Sequence, residues 1–321
     1  EVAGQIALQP GRIWLRGASY EAGWIVDVMV HPEHRGRGVG HLIQQAMKAT
    51  GRTLVTLTMA EATRRMAEKA GCITLAPVRQ MVRIGRLRGD TAGAVVRPIL
   101  QRRPRLRGIG RWFERAGAVP MAAAGLASAA AAARRLALPR AASGDIRLVD
   151  RIDASVADRL FARAAAAIPG LWDRGGTFCR WRFDAEPVLR YNRALLLRGG
   201  EAEGQVVWRL PEPMELNVGT LADVLADPAD GAAIEALTAH AVSAMAPHCE
   251  AIIAGASHPA HIRALRRAGF VTVKTHRPTV VCADPEVLAR FAAIGEGWHF
   301  TKADHDWDQL HPVVPWARDH T

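Results

Sequence analysis

Paired cysteines are missing from this 321-residue chain. Cys72, Cys179, Cys249 and Cys282 lie far apart, and none belongs to a Cys-x-x-Cys pair. That argues against a zinc site and a disulfide framework, and for a reducing, cytoplasmic setting. Strongly apolar runs are missing as well. The uncharged stretch 116–133 is mostly alanine, with Val119, Met121 and Leu126 among the few larger side chains. Alanine and glycine contribute too little transfer energy for a membrane span. A helix packed on the protein, or lying on a membrane surface, is the expectation there. No secretory signal opens the chain, and its first residue is Glu, so the start is treated as open. No zinc-finger, RNP or helix-turn-helix signature supports nucleic-acid binding. Tyrosine occurs twice, at Tyr20 and Tyr191.

What remains is globular: 49% hydrophobic and 23% charged residues, enough chain for two ordinary domains. The net charge of +11 is uneven. Residues 79–115 hold eleven arginines against Asp90 and Glu114. Arg134, Arg135 and Arg140 follow, before a loop-like PRAASG. Residues 86–144 therefore read as a basic connector between two folded halves, 1–85 and 145–321. A solvated linker in an Arg-rich chain is one account of it. Peripheral contact with an anionic membrane is another.

In the first half, GQIALQPGRIWL reads as two strand pieces around Pro10-Gly11, a hairpin. WIVDVMV, 24–30, reads as a central strand, apolar on both faces apart from Asp27. Val39, Leu42, Ile43, Ala46 and Met47 recur at helical spacing. TLVTLTM is a strand, EATRRMAEKAG a helix stopped by Gly71, and VRQMVRIG a closing strand. Between strand 24–30 and the first helix lies PEHRGRGVG. Glycines there let the backbone turn tightly and aim its N–H groups at one point. The helix N-terminus and Arg35 and Arg37 add positive charge, which makes an anion cradle suited to a pyrophosphate. The alternative is a surface turn with solvated arginines.

DVMVHPEHRGRGVGHLI resembles motif A of the GNAT superfamily of acyl-CoA-dependent N-acyltransferases, with its [Q/R]-x-x-G-x-[G/A] pattern falling on Arg35, Gly38 and Gly40. The resemblance covers about residues 2–85. It implies an α/β (α+β) fold of mixed central sheets flanked by helices. It implies acetyl-CoA as cosubstrate, no metal, and a small-molecule or glycan amine as acceptor. Coenzyme A would be held by Val28, Met29 and Val30 on the strand and by Arg35, Gly36, Arg37, Gly38, Val39 and Gly40 in the loop. Asp27 becomes the candidate base, with a structural role for its carboxylate as the alternative. The family's opening strand and first helices have no counterpart after Glu1, so either the chain is truncated or the second half is expected to supply them. Two positions depart from the pattern. The tyrosine that acts as acid in many members is Ala67, and a frequent asparagine is Ala60.

The second half repeats the coarse pattern, and LRRAGF resembles a GNAT helix end. Where a second phosphate loop belongs, the chain has DPADGAA, whose Asp227 and Asp230 repel a pyrophosphate. The expectation is a tandem of two GNAT-like lobes with the second degenerate. FCRWRFDAEPVLRYN resembles a stretch of two-lobed members assigned to polysaccharide or cell-surface gene clusters, which suggests an amino sugar or cell-surface precursor as acceptor. Trp172, Trp181, Trp208 and Trp298 are either sugar-stacking or core residues. GWHFTKADHDWDQLH, with Asp304, Asp306 and Asp308, lacks the glycine and distal Glu of a calcium loop and reads as a solvated tail or a substrate-facing loop. A non-catalytic acyl-CoA sensor or scaffold, and a basic protein acting through its connector, stay open beside the enzyme.

Overall fold

The computed structural model describes residues 2–59, 61–69, 71–85, 144–213 and 215–308. Apart from Gly144, the basic connector lies outside the described residues, as does Ala60.

Strand β1, Gly4–Leu15, runs unbroken through Pro10. Only Ile13–Leu15 have a neighbour on the second side, so Pro10 sits where one strand edge is free and its missing N–H costs nothing. The hairpin lies instead at Arg16 and Gly17, with φ of 49° and 85°, and leads into β2, Ala18–Val30. The expected hairpin at Pro10-Gly11 is thus corrected, because the two positive-φ residues that close a two-residue turn come six positions later. Helix α1, Val39–Ala49, strand β3, Thr53–Thr56, and helix α2, Glu61–Lys69, follow. Strands β4, Ile73–Thr74, and β5, Val78–Ile84, end the first half.

The second half begins with β6, Asp145–Val149, and helix α3, Ala154–Ala167, whose N-cap Asp153 accepts from the Ser155 amide at 2.9 Å. Then come β7, Gly170–Trp172, the short helix α4, Gly176–Cys179, β8, Asn192–Arg198, and β9, Glu201–Arg209. Strand β10, Val218–Ala226, helix α5, Gly231–Met245, strand β11, Ala251–Ala256, and helix α6, Pro259–Arg267, form the second lobe's centre. Strands β12, Val271–His276, and β13, Thr279–Val281, helix α7, Pro285–Ala293, and strand β14, Trp298–His299, complete the described chain.

Two seven-stranded mixed sheets result, in the orders β14-β7-β1-β2-β3-β13-β4 and β12-β5-β11-β10-β9-β8-β6. They have exchanged equivalent strands. β5 leaves the first half to lie between β11 and β12, and β13 leaves the second to lie between β3 and β4. Residues 78–84 therefore do not close the sheet of their own half, and 271–282 form two strands in two sheets. Neither sheet is complete without both halves.

The repeat continues at residue level. β2 pairs in parallel with β3 over Ala22–Ile25, and β10 with β11 over Val218–Leu221. Counting from those last pairs, VDVMVHPE at 26–33 lies over ADVLADPA at 222–229. Asp27 and Asp223 occupy the same step, and both strands are irregular close by.

Two of the buried histidines, His261 and His299, have ring centroids 4.5 Å apart. Burial pushes His261 down to about 3 and His299 well below its ordinary value. The unfolded chain takes up protons on both below about pH 6.5, while the native state does not. Stability is therefore full above that pH and lost as pH falls, by up to about 1.4 kcal/mol per pH unit for each histidine. Urea titrations at pH 7 and pH 5 are expected to show the midpoint falling. In His261→Leu/His299→Leu the fall should be smaller, the remainder coming from His240 and His258, which burial also lowers, since the lowered carboxylates Asp153 and Asp230 act only below about pH 4.

Candidate active site

Beyond Ile25, β2 and β3 part company. Residues 26–30 keep β1 on one side and have no strand on the other among the described residues. The His31 amide reaches Ala3 O at 2.9 Å, so the adjacent pair Gly4–Val30 is a non-bonded one. Its alternation turns the N–H and C=O of Val30 toward the open edge. Arg35 Nε meets that carbonyl at 3.3 Å. Val28 and Met29 are 56% and 58% exposed, so this segment is a free edge and not the doubly covered central strand expected from its apolar run. An open ladder of backbone groups beside exposed apolar side chains suits an amide-bearing arm such as pantetheine.

The loop after β2 takes its shape from two left-handed glycines, Gly36 at φ 75° and Gly38 at φ 83°. A Cβ placed on Gly36, Gly38 or Gly40 meets nothing within 4 Å. Gly36 and Gly38 are glycine for their left-handed backbone, and packing within the protein demands glycine at none of the three. The first donor after the turn to find a backbone partner is His41, to Gly38 O at 2.9 Å, which leaves the leading N–H groups of α1 without a backbone partner among the described residues. Arg35 and Arg37 are exposed beside them, and Val39 and Gly40 form the first turn. Gly4 lets α1 approach the sheet, since a Cβ there would lie 2.9 Å from Ile43 Cδ1. A strand, an open glycine turn flanked by two exposed arginines and a helix thus follow one another, and their chemistry fits a diphosphate such as that of coenzyme A.

The second lobe closes the same place. Asp230 caps α5 through the Ala233 amide at 2.9 Å and pairs with Arg198, while Asp227 accepts from the Ala229 amide at 2.8 Å. Its strand gap is filled from inside. Asp223 is 1% exposed, accepts from Thr301 Oγ1 at 2.7 Å, and lies 3.2 Å from Arg174 Nε. Asp27, its counterpart, is exposed and makes no polar contact among the described residues.

On the other face of the first sheet lies a cavity of about 320 Å³. Arg12, Glu21 and Trp24 come from β1 and β2; Trp172, Trp181 and Asp304 come from the second half. Trp181 is 51% exposed. The indole N–H groups of buried Trp24 and Trp172 have no partner among the described residues. Trp208 and Trp298 are core residues. The acidic tail is also corrected: Asp304 and Asp308 are buried, the first beside Arg174 at 2.6 Å, the second beside Arg182 and accepting from Tyr191 O–H at 2.7 Å. Desolvation drove them inward only because each meets an arginine that the linear sequence does not place next to it. Among the described residues no group of acidic, Cys and His side chains is arranged to hold a metal. Nor is any described helix long and apolar enough to cross a membrane.

Ala67, half-buried on α2, offers no proton. Tyr191 cannot stand in for it, since burial and Asp308 push its phenol up and its O–H is engaged.

The family model for an acetyltransferase (GNAT) domain matches residues 1–73. The first 73 residues are thus similar to a GNAT domain. No curated protein matches the chain. Among solved structures, a GCN5-related N-acetyltransferase from Anabaena variabilis superposes with a TM-score of 0.55 at 13% identity, over 88% of this chain and 61% of that one. A probable N-acyltransferase from Enterococcus faecalis gives 0.52 at 13% identity, over 89% and 60%. Saccharomyces cerevisiae N-myristoyltransferase with bound myristoyl-CoA gives 0.51 at 12%, over 87% and 66%. At such identities these likenesses show the fold: two GNAT-like lobes of mixed sheets flanked by helices. The chain spans about three fifths of the length of the first two.

Proposed function

We propose that the chain is an N-acyltransferase that moves a short acyl group, acetyl in the first instance, from acyl-CoA to a primary amine. The observation that carries this is the free edge of β2 running into a cradle of left-handed glycines at the start of α1. In this reading Gly36–Gly40 and the flanking Arg35 and Arg37 hold the diphosphate. Val28–Val30 align the pantetheine arm, and the second lobe, with its cap occupied by Asp230, holds no coenzyme. The 320 Å³ cavity receives the acceptor. Its tryptophans, unpartnered indole N–H groups and carboxylates favour a hydroxylated ring amine, such as an amino sugar or cell-surface precursor.

Acyl-CoA supplies an activated thioester whose thiol, with a pKa of about 8.5, is a fair leaving group near neutrality. The amine must lose a proton as its lone pair joins the carbonyl carbon, and Asp27 takes that proton directly or through water. Its lack of polar partners among the described residues supports a role toward substrate over a structural one. The Val30 N–H faces the edge where negative charge gathers on the carbonyl oxygen. The domain division at 85 and 145, the cytoplasmic setting suggested by four free cysteines, and membrane contact through the connector belong to this proposal.

Ala67 supports a second reading, an acyl-CoA sensor or scaffold without turnover. Thiol release from acetyl-CoA over a panel of amines separates the two. In the enzyme reading Asp27→Asn lowers kcat by about 100-fold while acetyl-CoA affinity is unchanged. Release that no amine stimulates would leave the sensor, and normal turnover in Asp27→Asn would remove the carboxylate from the chemistry.

A further inference from the structure

Where β4 hands over to β5 and the chain passes from one sheet to the other, a second cavity of about 300 Å³ opens between Pro77 and helix α6. Three guanidinium groups line it, Arg79 from β5 and Arg263 and Arg266 from α6, with Glu296 and Ser257 at its wall. Residues three apart on a helix share a face, so Arg263 and Arg266 converge by construction. None of the three guanidinium groups makes an ion pair or hydrogen bond among the described residues. Their neighbour Arg267, by contrast, is paired with Glu235. Arg79 Nε is also buried, and a buried guanidinium N–H without an acceptor is costly. Ser257 Oγ is occupied, donating to Trp298 O at 2.7 Å, which ties the cavity wall to β14 of the other sheet.

We propose that this cavity binds the phosphoryl group of a small soluble ligand, a phosphomonoester or a diphosphate. One carboxylate is satisfied by one arginine fork. Three forks facing one space need an anion with more acceptor oxygens and more charge. Three arginines against Glu296 leave an excess of two positive charges, matching a phosphoryl dianion. The site is distinct from the coenzyme cradle, which lies on the loop before α1, and the proposal does not depend on the acyltransferase reading. Because the cavity draws on β5, α6 and the segment before β14, a ligand there would clamp the strand exchange.

The test is calorimetric titration of inorganic pyrophosphate into the full chain carrying Gly40→Leu, which blocks the coenzyme cradle. Binding is expected to persist in that protein and to weaken about 100-fold when Arg79→Gln, Arg263→Gln and Arg266→Gln are added. Thermal melting without ligand should show that the glutamine variants still fold, since they remove like charges from one space. Arg263→Gln/Arg266→Gln, exposed on α6 and harmless to the core, gives the same answer if Arg79→Gln does not fold. No binding to the Gly40→Leu protein at millimolar pyrophosphate, or equal binding with and without the arginines, would overturn the proposal. So would arginine-dependent sedimentation with phosphatidylglycerol vesicles in the absence of any binding to soluble phosphate, which would make the site a lipid contact.

Discussion

Gly40→Leu is expected to weaken acetyl-CoA binding by at least about 100-fold, some 2.8 kcal/mol, with no loss of thermal stability. The two effects separate because of where Gly40 sits. It lies in the first turn of α1 without the left-handed conformation of Gly36 and Gly38. A Cβ there meets no atom within 4 Å, so leucine projects into space that the protein itself does not use. Leucine is also the better helix former, by up to about 1 kcal/mol. Gly38→Val would not be so clean, because valine at φ 83° is strained whether or not a ligand comes. Calorimetry with acetyl-CoA, beside a melting curve, checks both halves of the expectation. An unchanged Kd would move the coenzyme away from residues 28–40. A fallen Tm would show that the open face is needed for folding.

The strand, glycine turn and helix of residues 24–49 were legible because their cause is local. A strand, a glycine-rich turn and an amphipathic helix are written in consecutive residues, and the positive-φ positions fall on glycines that no packing demands. The exchange of β5 and β13 was not legible. Both segments have honest strand composition, and nothing in VRQMVRI or TVV states which sheet the strand joins. Sheet membership follows from which open gap the chain can reach, a property of the whole fold. The shared Asp-Val step of VDVMVHPE and ADVLADPA was available and is the one signal that would have aligned the lobes. It is short, and the cradle that follows it in the first copy has no partner in the second. The acidic tail misled for a related reason. A run of alternating aspartates reads as solvated until Arg174 and Arg182, more than a hundred positions earlier, arrive beside it.

That arrival sets the other large expectation. Arg174 is fully buried and lies between two carboxylates, Asp223 at 3.2 Å and Asp304 at 2.6 Å, with Thr301 Oγ1 accepting from it at 3.1 Å. Burial alone would lower the pKa of the guanidinium, yet the two aspartates raise it. Burial likewise raises the Asp304 carboxyl, against the pull of Arg174 and the Thr301 amide. Charge in this interior is tolerable only while all three side chains are present. Arg174→Met should therefore cost about 3–5 kcal/mol, since it strands two carboxylates away from water. The loss should ease at low pH, where a stranded carboxylate can take a proton. Arg174→Met/Asp223→Asn/Asp304→Asn, in which no charge is left behind, should recover most of it. Urea titrations of the three proteins measure this directly. A loss under about 1 kcal/mol in Arg174→Met would mean that water reaches the triad. The consequence extends to the 320 Å³ cavity proposed for the acceptor, because Asp304 lines it. The same aspartate step that lies exposed in the first half is buried, in the second, in an ion-paired cluster with Arg174.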